Sequence, residues 1–130
     1  MSSIFTKIVR KEIPSYKVHE NDRFYAFLDI NPLKKGHTLV IPKNEIDYIF
    51  DLESDEYQNL WGFAKIVANG MKKVINCKRI SIVVMGLEVP HAHIHLIPLD
   101  NMNDINFNQP KLNLSSQEMQ QIADKIRNTI

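Results

Sequence analysis

Apolar residues recur along the chain with two different periods, and these periods predict its helices and strands. Helical spacing predicts a short turn of helix around Ile4 to Val9 and a long helix over residues 54–75, with Ser54 as its N-cap. A capping-box pattern at Ser115 to Glu118 opens a last helix that ends near Arg127. Short apolar runs predict five strands, at residues 16–19, 24–28, 37–42, 80–85 and 89–98.

These elements predict an α+β fold with a five-stranded antiparallel sheet and two main helices. Residues 86–88 form a very short turn between the last two strands, which should therefore pair antiparallel. The chain shows no internal repeat or linker, and we expect one domain over residues 1–130. Within it, residues 100–113 should form a polar loop, able to order over the site described next, and residues 115–128 the C-terminal helix.

The last predicted strand has the most unusual pattern. His91, His93 and His95 alternate with apolar residues, so all three imidazoles should share one face while Ala92, Ile94 and Leu96 face a core. The chain has five histidines, and three of them fall on this strand. The strand itself leaves three interpretations open: hydrogen-bonded histidines without chemistry, a metal site, or a nucleophilic imidazole with supporting neighbours.

Charge and composition exclude several classes of partner. A net charge of +1 argues against a broad surface for nucleic acid or an anionic membrane. No run approaches the roughly 20 apolar residues that span a bilayer, and the start lacks the apolar segment of a signal peptide. Cys77 is the single cysteine, so no internal disulfide forms and a reducing compartment is favoured. We expect a cytoplasmic protein.

Three stretches together resemble the histidine triad superfamily of nucleotide-binding proteins. They are the triad segment at 91–98, the opening segment at 3–14 and a nucleoside-binding segment made of 27–32 and 36–43. The resemblance implies a nucleotide hydrolase or transferase that acts at the α-phosphate through a covalent nucleotidyl-histidine. Nucleoside phosphoramidates or adenylylated amines are the expected substrates. The alternatives are a dinucleoside polyphosphate hydrolase and a non-catalytic nucleotide-binding sensor or scaffold.

The resemblance also implies an assembly and a cofactor requirement. Relatives commonly pair as two-fold homodimers, which here would join two sheets into one of ten strands. The partner molecule would be a purine nucleotide or an adenylyl compound. The reaction needs no cofactor or metal, because His95 and backbone donors can stabilise the phosphoryl charge.

Roles for the histidines follow from the same resemblance. His93 would be the nucleophile, with its second ring nitrogen bonded to the backbone carbonyl of His91. His95 would lie beside the phosphate, stabilising charge or passing a proton. His37 would support the triad from behind, although a simple histidine at a strand end fits that position as well.

Asp29 corresponds to the carboxylate that binds ribose hydroxyls, and it can also serve as a turn residue before Pro32. An apolar slot for the purine would be formed by residues that could equally pack in the core: Phe5, Ile8, Phe27 and Ile30.

Two departures from the family pattern stand out. Many relatives bind a structural zinc through positions that here hold Ser3, Thr6 and Glu45, so we expect no zinc there. The stretch before the triad is short, and Glu88 stands where a small hydroxyl residue is common. Glu88 could donate a proton to the leaving group or bind a cationic amine, or it could be a solvated turn residue.

Overall fold

Five antiparallel strands form a single sheet in the order β1-β2-β3-β5-β4. The computed structural model describes residues 2–130. The strands are β1 (Lys17–Glu20), β2 (Phe24–Leu28), β3 (Thr38–Pro42), β4 (Arg79–Val83) and β5 (Ile94–Leu99). Every neighbouring pair is antiparallel, so β4 is left at one edge and β1 at the other. The predicted fold class is confirmed.

Helices cover both faces of this sheet. The helix α2 (Ser54–Val74) and the helix α3 (Ser116–Arg127) pack on one face, and the short helix α1 (Ile4–Val9) packs on the other. Strand β2 is buried throughout because its residues alternate between the two cores: Phe24, Ala26 and Leu28 in one, Tyr25 and Phe27 in the other. Over residues 2–130, no helix is long and apolar enough to cross a membrane.

The start and end of α2 differ from the prediction. Glu53 is the N-cap, and Ser54 is the first helical residue, with its hydroxyl accepting a hydrogen bond from Gln58 instead of capping. Val74 belongs to the predicted apolar stripe but is 40% exposed. The other stripe residues are buried: Leu60, Phe63, Ala64, Val67 and Met71.

The prediction that the whole triad lies on one regular strand is wrong, because β5 begins only at Ile94. Pairing with β4 ends at Val83 opposite His95, and the preceding residues turn toward the β3–α2 connection, where the Ala92 N–H donates to the Ile46 carbonyl. The three-residue turn expected at 86–88 is therefore part of a ten-residue connection, 84–93. The alternation of faces is confirmed, since Ala92, Ile94 and Leu96 all lie in the α2 core.

The segment from 100 to 113 crosses back over the sheet. It is irregular apart from one 3-10 turn, Met102–Ile105. Its end is held where the Leu112 N–H donates to the Pro32 carbonyl at 2.8 Å. Ser115 then caps α3, as predicted, by accepting the Glu118 N–H.

Candidate active site

A pocket of about 610 Å³ opens on the α1 face of the sheet. All of the predicted site residues except His91 line this pocket: Phe5, Ile8, Phe27, Asp29, Ile30, His37, Glu88, His93 and His95. They come from α1, from β2 and the turn after it, from the residue just before β3, from the connection after β4, and from the triad segment. The sequence motifs that were far apart in the chain thus converge on one cavity.

His93 is held in one tautomer by the backbone. Its Nδ1 lies 2.7 Å from the carbonyl oxygen of His91, and a carbonyl can only accept, so Nδ1 carries the proton. Burial lowers the pKa of His93 below its ordinary value, which favours the neutral ring. A neutral ring protonated at Nδ1 has an unprotonated Nε2, and this lone pair is available for nucleophilic attack.

His37 and His95 form a directed hydrogen-bond chain. The Leu33 N–H donates to His37 Nδ1 at 3.1 Å, so a neutral His37 is protonated at Nε2, which lies 2.9 Å from His95 Nδ1. His95 Nδ1 therefore accepts, and its own proton is on Nε2. Burial lowers the pKa of His37 to about 3 and that of His95 to about 4, so both are neutral at physiological pH. This series of hydrogen bonds leaves His95 with an N–H donor at Nε2.

Asp29 stands at the end of β2, and its backbone connects it to His37. The Asp29 N–H donates to the His37 carbonyl at 2.9 Å, and one carboxylate oxygen accepts the Asn31 N–H at 2.8 Å. The other oxygen lies 3.6 Å from His37 Nε2. Burial raises the pKa of Asp29 above its ordinary value. Asp29 therefore serves as a turn residue and also lines the pocket.

One wall of the pocket is apolar. Phe5 of α1 meets the His93 ring edge-on, with centroids 5.0 Å apart, and meets Phe27 in the same way at 5.5 Å. Ile8 is buried beside them, whereas Ile30 is 67% exposed and lies at the rim. A flat apolar ligand could enter between this wall and Ile30.

The chain beyond the triad contributes residues that the sequence did not indicate: Phe107, Asn108 and Lys111. The Phe107 ring lies edge-on to His95, with centroids 5.1 Å apart. Lys111 Nζ donates to the Phe107 and Gln109 carbonyls, which holds the ammonium at the pocket. Phe107 is the one aromatic residue in the polar run 100–113, and that contrast is the one sequence feature that could have drawn notice.

His91 lies behind the pocket and is fully buried. Its Nε2 donates to the Pro42 carbonyl at 2.8 Å, and its Nδ1 lies 2.7 Å from the Ser3 hydroxyl. Next to Ser3, the Thr6 hydroxyl donates a hydrogen bond to the Glu45 carboxylate. Both imidazole nitrogens are thus already occupied, and the other groups are hydroxyls and a carboxylate. This donor set does not fit the nitrogen and sulfur ligands typical of structural zinc.

Within residues 2–130, one group of side chains has the spacing of metal ligands: Asp29, His37 and His95, whose candidate atoms lie within 4.8 Å of one another. A metal on His37 Nε2 would move the proton of that ring to Nδ1. That proton would then oppose the Leu33 N–H, which now donates to Nδ1. The backbone geometry therefore disfavours metal binding here.

Comparison with known proteins shows the family to which the chain is similar in sequence and fold. The model of the HIT domain family matches residues 10–102. An uncharacterized HIT-like protein of Borreliella burgdorferi is 37% identical over 95% of this chain and 94% of that protein. An adenosine 5'-monophosphoramidase of Schizosaccharomyces pombe is 31% identical over 100% of this chain and 99% of its own length. The crystal structure of a HIT-like protein from Bartonella henselae superposes with a TM-score of 0.86. It is 30% identical in sequence, and the match covers 99% of this chain and 96% of that one.

Proposed function

Because the chain belongs to the histidine triad family, we propose that it hydrolyses nucleotides at the α-phosphate through a covalent nucleotidyl-His93 intermediate. The S. pombe relative is named as an adenosine 5'-monophosphoramidase, and nucleoside phosphoramidates or adenylylated amines are the proposed substrates. The observation that carries the proposal is the 2.7 Å contact between His93 Nδ1 and the His91 carbonyl. It orients the ring and leaves Nε2 unprotonated at the pocket.

In the first step, His93 Nε2 forms a bond to the α-phosphorus and the bond to the amine nitrogen breaks. The amine leaves with the bonding electron pair and takes up one proton from solvent, which the water of the second step later returns. In the second step, water attacks phosphorus, the P–N bond to His93 breaks, and the electron pair returns to Nε2. The water releases one proton, so the two steps balance and yield a nucleoside monophosphate.

The neighbouring groups would stabilise the phosphoryl charge and bind the ribose and the base. His95 Nε2–H is a neutral donor that can hydrogen-bond the phosphoryl oxygens as their charge develops. Asp29 would accept the ribose hydroxyls, and the wall of Phe5 and Phe27 would contact the base. His37 acts through His95, because its two nitrogens are engaged with Leu33 and His95.

The charges around the pocket favour an amine leaving group over a polyphosphate. Two carboxylates line the pocket, Asp29 and Glu88, together with the ammonium of Lys111, while the histidines are neutral. A polyphosphate leaving group would bring several negative charges toward these carboxylates, whereas a cationic amine would be attracted to Glu88. Diadenosine polyphosphates are therefore the second choice of substrate.

We also propose that two chains form an isologous dimer through β4 and α2. Strand β4 is an edge strand with unpaired backbone groups, and its Ile82 is 49% exposed. Ile66 on α2, also 49% exposed, and Met85 after β4, 47% exposed, add apolar surface. An isologous dimer would cover these residues and extend the sheet to ten strands.

A substrate panel tests the proposed activity. Purified protein is incubated with adenosine 5'-monophosphoramidate, an adenylylated lysine and diadenosine tetraphosphate, and released AMP is measured by mass spectrometry. We expect the two amine substrates to have the higher kcat/KM, and His93→Ala to abolish release while AMP still binds. AMP binding by wild-type protein without turnover on any substrate would indicate a nucleotide sensor instead.

A further inference from the structure

A polar cluster behind the pocket surrounds the imidazole of His91. It consists of Ser3 and Thr6 on the first turn of α1 and Glu45 in the connection after β3. Ser3, Thr6 and His91 are buried, whereas Glu45 is exposed at its outer end. The Ser3 hydroxyl lies 2.7 Å from His91 Nδ1, and the Thr6 hydroxyl lies 2.7 Å from a Glu45 oxygen. None of these three residues reaches the pocket that holds His93.

The protons of this cluster have one arrangement that satisfies every group. The Pro42 carbonyl can only accept, so His91 is protonated at Nε2, and in the neutral ring Nδ1 must accept from the Ser3 hydroxyl. The Ser3 hydroxyl in turn accepts the Thr6 N–H at 3.0 Å. The Thr6 hydroxyl is free to donate to the Glu45 carboxylate.

Glu45 closes the arrangement. The same carboxylate oxygen accepts the Ser3 N–H at 2.5 Å, and together these two donors lower the pKa of Glu45 to about 2. An ionised carboxylate cannot donate, so it draws the Thr6 proton away from Ser3 and His91. The Ser3 hydroxyl therefore donates to His91 Nδ1 at 2.7 Å, which is nearer than its other acceptor, the Thr6 hydroxyl oxygen at 3.3 Å.

This cluster is linked to His93 in two ways. The backbone carbonyl of His91 accepts the proton of His93 Nδ1, and the hydrogen bonds of the His91 ring to Ser3 and the Pro42 carbonyl anchor the backbone that carries this carbonyl. Phe5, which lies between Ser3 and Thr6 in the chain, contacts both the His91 and His93 rings edge-on. The cluster thus holds one wall of the pocket and the hydrogen-bond partner of the nucleophile.

We propose that Ser3, Thr6 and Glu45 are positioning residues, which orient His93 for attack by fixing the tautomer and the position of His91. The kinetic part of this proposal rests on the proposed function. The tautomer part does not, because it concerns the protein without substrate.

Ser3→Ala is the direct test, with Ser2→Ala as the matched control, since the Ser2 hydroxyl accepts a hydrogen bond from the exposed Arg10 guanidinium. We expect Ser3→Ala to lower kcat about 10- to 100-fold with KM within about twofold, as misplacement of a catalytic group does. Ser3→Thr, which keeps a hydroxyl, should recover most of the rate. Ser2→Ala should behave as wild type.

The ¹⁵N chemical shifts of the imidazole rings distinguish a positioning role from a contribution to fold stability alone, which would leave the shifts of the folded protein unchanged. In wild-type protein, His91 should show a protonated Nε2 and a hydrogen-bonded, unprotonated Nδ1. In Ser3→Ala, the Nδ1 resonance should shift toward that of a free lone pair, and the His93 resonances should broaden or move. Unchanged His91 and His93 spectra together with an unchanged kcat would overturn the proposal.

Glu45→Ala provides a second variant at an exposed position, so folding is not at stake, with the neighbouring exposed Asp47→Ala as its control. It frees the Thr6 hydroxyl to compete for Ser3 and His91, so kcat should fall in the same direction by a smaller factor. Wild-type kcat in Glu45→Ala would remove Glu45 from the proposal. If wild-type protein turns over no nucleotide, the proposed function fails, while the His91 spectra still decide the tautomer.

Discussion

Four imidazoles around the pocket each carry a proton at a defined nitrogen. His91 is protonated at Nε2 and His93 at Nδ1 because a backbone carbonyl accepts at that nitrogen. His37 and His95 are protonated at Nε2 because a donor occupies Nδ1 of each ring. Burial lowers the pKa of all four, so the set stays neutral at physiological pH. Neutral rings of defined tautomer suit nucleophilic attack and hydrogen-bond donation.

The same protons predict the response to metals. Zinc at Asp29, His37 and His95 would require the proton of His37 to move from Nε2 to Nδ1, where it would face the Leu33 N–H. We therefore expect purified protein to hold less than stoichiometric zinc, measured by atomic emission, and to keep full turnover after dialysis against a chelator. One tightly bound zinc per chain, or activity lost to the chelator and restored by zinc, would contradict this expectation.

Residue motifs were sufficient to indicate most of the predicted residues that line the candidate pocket, and the reason is local. Asp29 and His37 flank one turn and are joined by a backbone hydrogen bond, so their spacing in the sequence already fixes their proximity. Phe107 and Lys111 reach the pocket only because residues 100–113 cross back over the sheet. No local periodicity encodes such a crossing, since it depends on the contact between Leu112 and Pro32.

At the scale of elements, the sequence predicted five strands in one antiparallel sheet, with the last two paired, but not the start of β5. Alternation of histidines and apolar residues extends from His91 to Leu96, yet regular pairing begins at Ile94. Side chains keep alternating between two cores even where the backbone bonds to the β3–α2 connection instead of to a strand. The sequence pattern therefore indicates that side chains are buried on two faces. A hydrogen-bonded strand is one backbone structure that gives this alternation, and an extended segment without strand pairing is another.

The edge strand β4 leads to a prediction about assembly. Burial of Ile82 and its apolar neighbours across a two-fold axis should give a particle of twice 15.1 kDa by light scattering at micromolar concentration. Ile82→Lys should shift the mass to that of one chain, because it would place charges at the interface. Met102→Lys, at a residue 85% exposed and far from β4 in the chain, serves as the control. A monomeric wild-type protein would refute the dimer.

At the scale of the whole molecule, buried neutral histidines couple stability to pH. Unfolded histidines protonate near 6.5, whereas His37 and His95 in the folded chain resist protonation down to about 3 and about 4. Between pH 6.5 and about 4 the unfolded chain therefore binds more protons, and the free energy of unfolding falls as the pH falls. Each such histidine contributes a slope of up to about 1.4 kcal/mol per pH unit.

Urea unfolding at pH 7 and pH 5 measures this effect. We expect a lower free energy of unfolding at pH 5, and a smaller difference between the two pH values in His37→Asn, which lacks one of the titrating rings. The carboxylates with lowered pKa titrate below this window. Asp29, whose pKa is raised by burial, opposes the effect of the four buried histidines, whose pKa values are all lowered. Equal stability at both pH values would show that the rings are not buried in neutral form.

The covalent intermediate on His93 can be observed directly by rapid quench. Wild-type protein is mixed with adenosine 5'-monophosphoramidate labelled at the α-phosphorus, and the reaction is stopped within the first turnover. We predict protein-bound label on His93, labile in acid and stable in base as a phosphoramidate is, and none in His93→Ala. Release of labelled AMP with no label on the protein at any time, or turnover by His93→Ala at the wild-type rate, would contradict nucleophilic catalysis by His93.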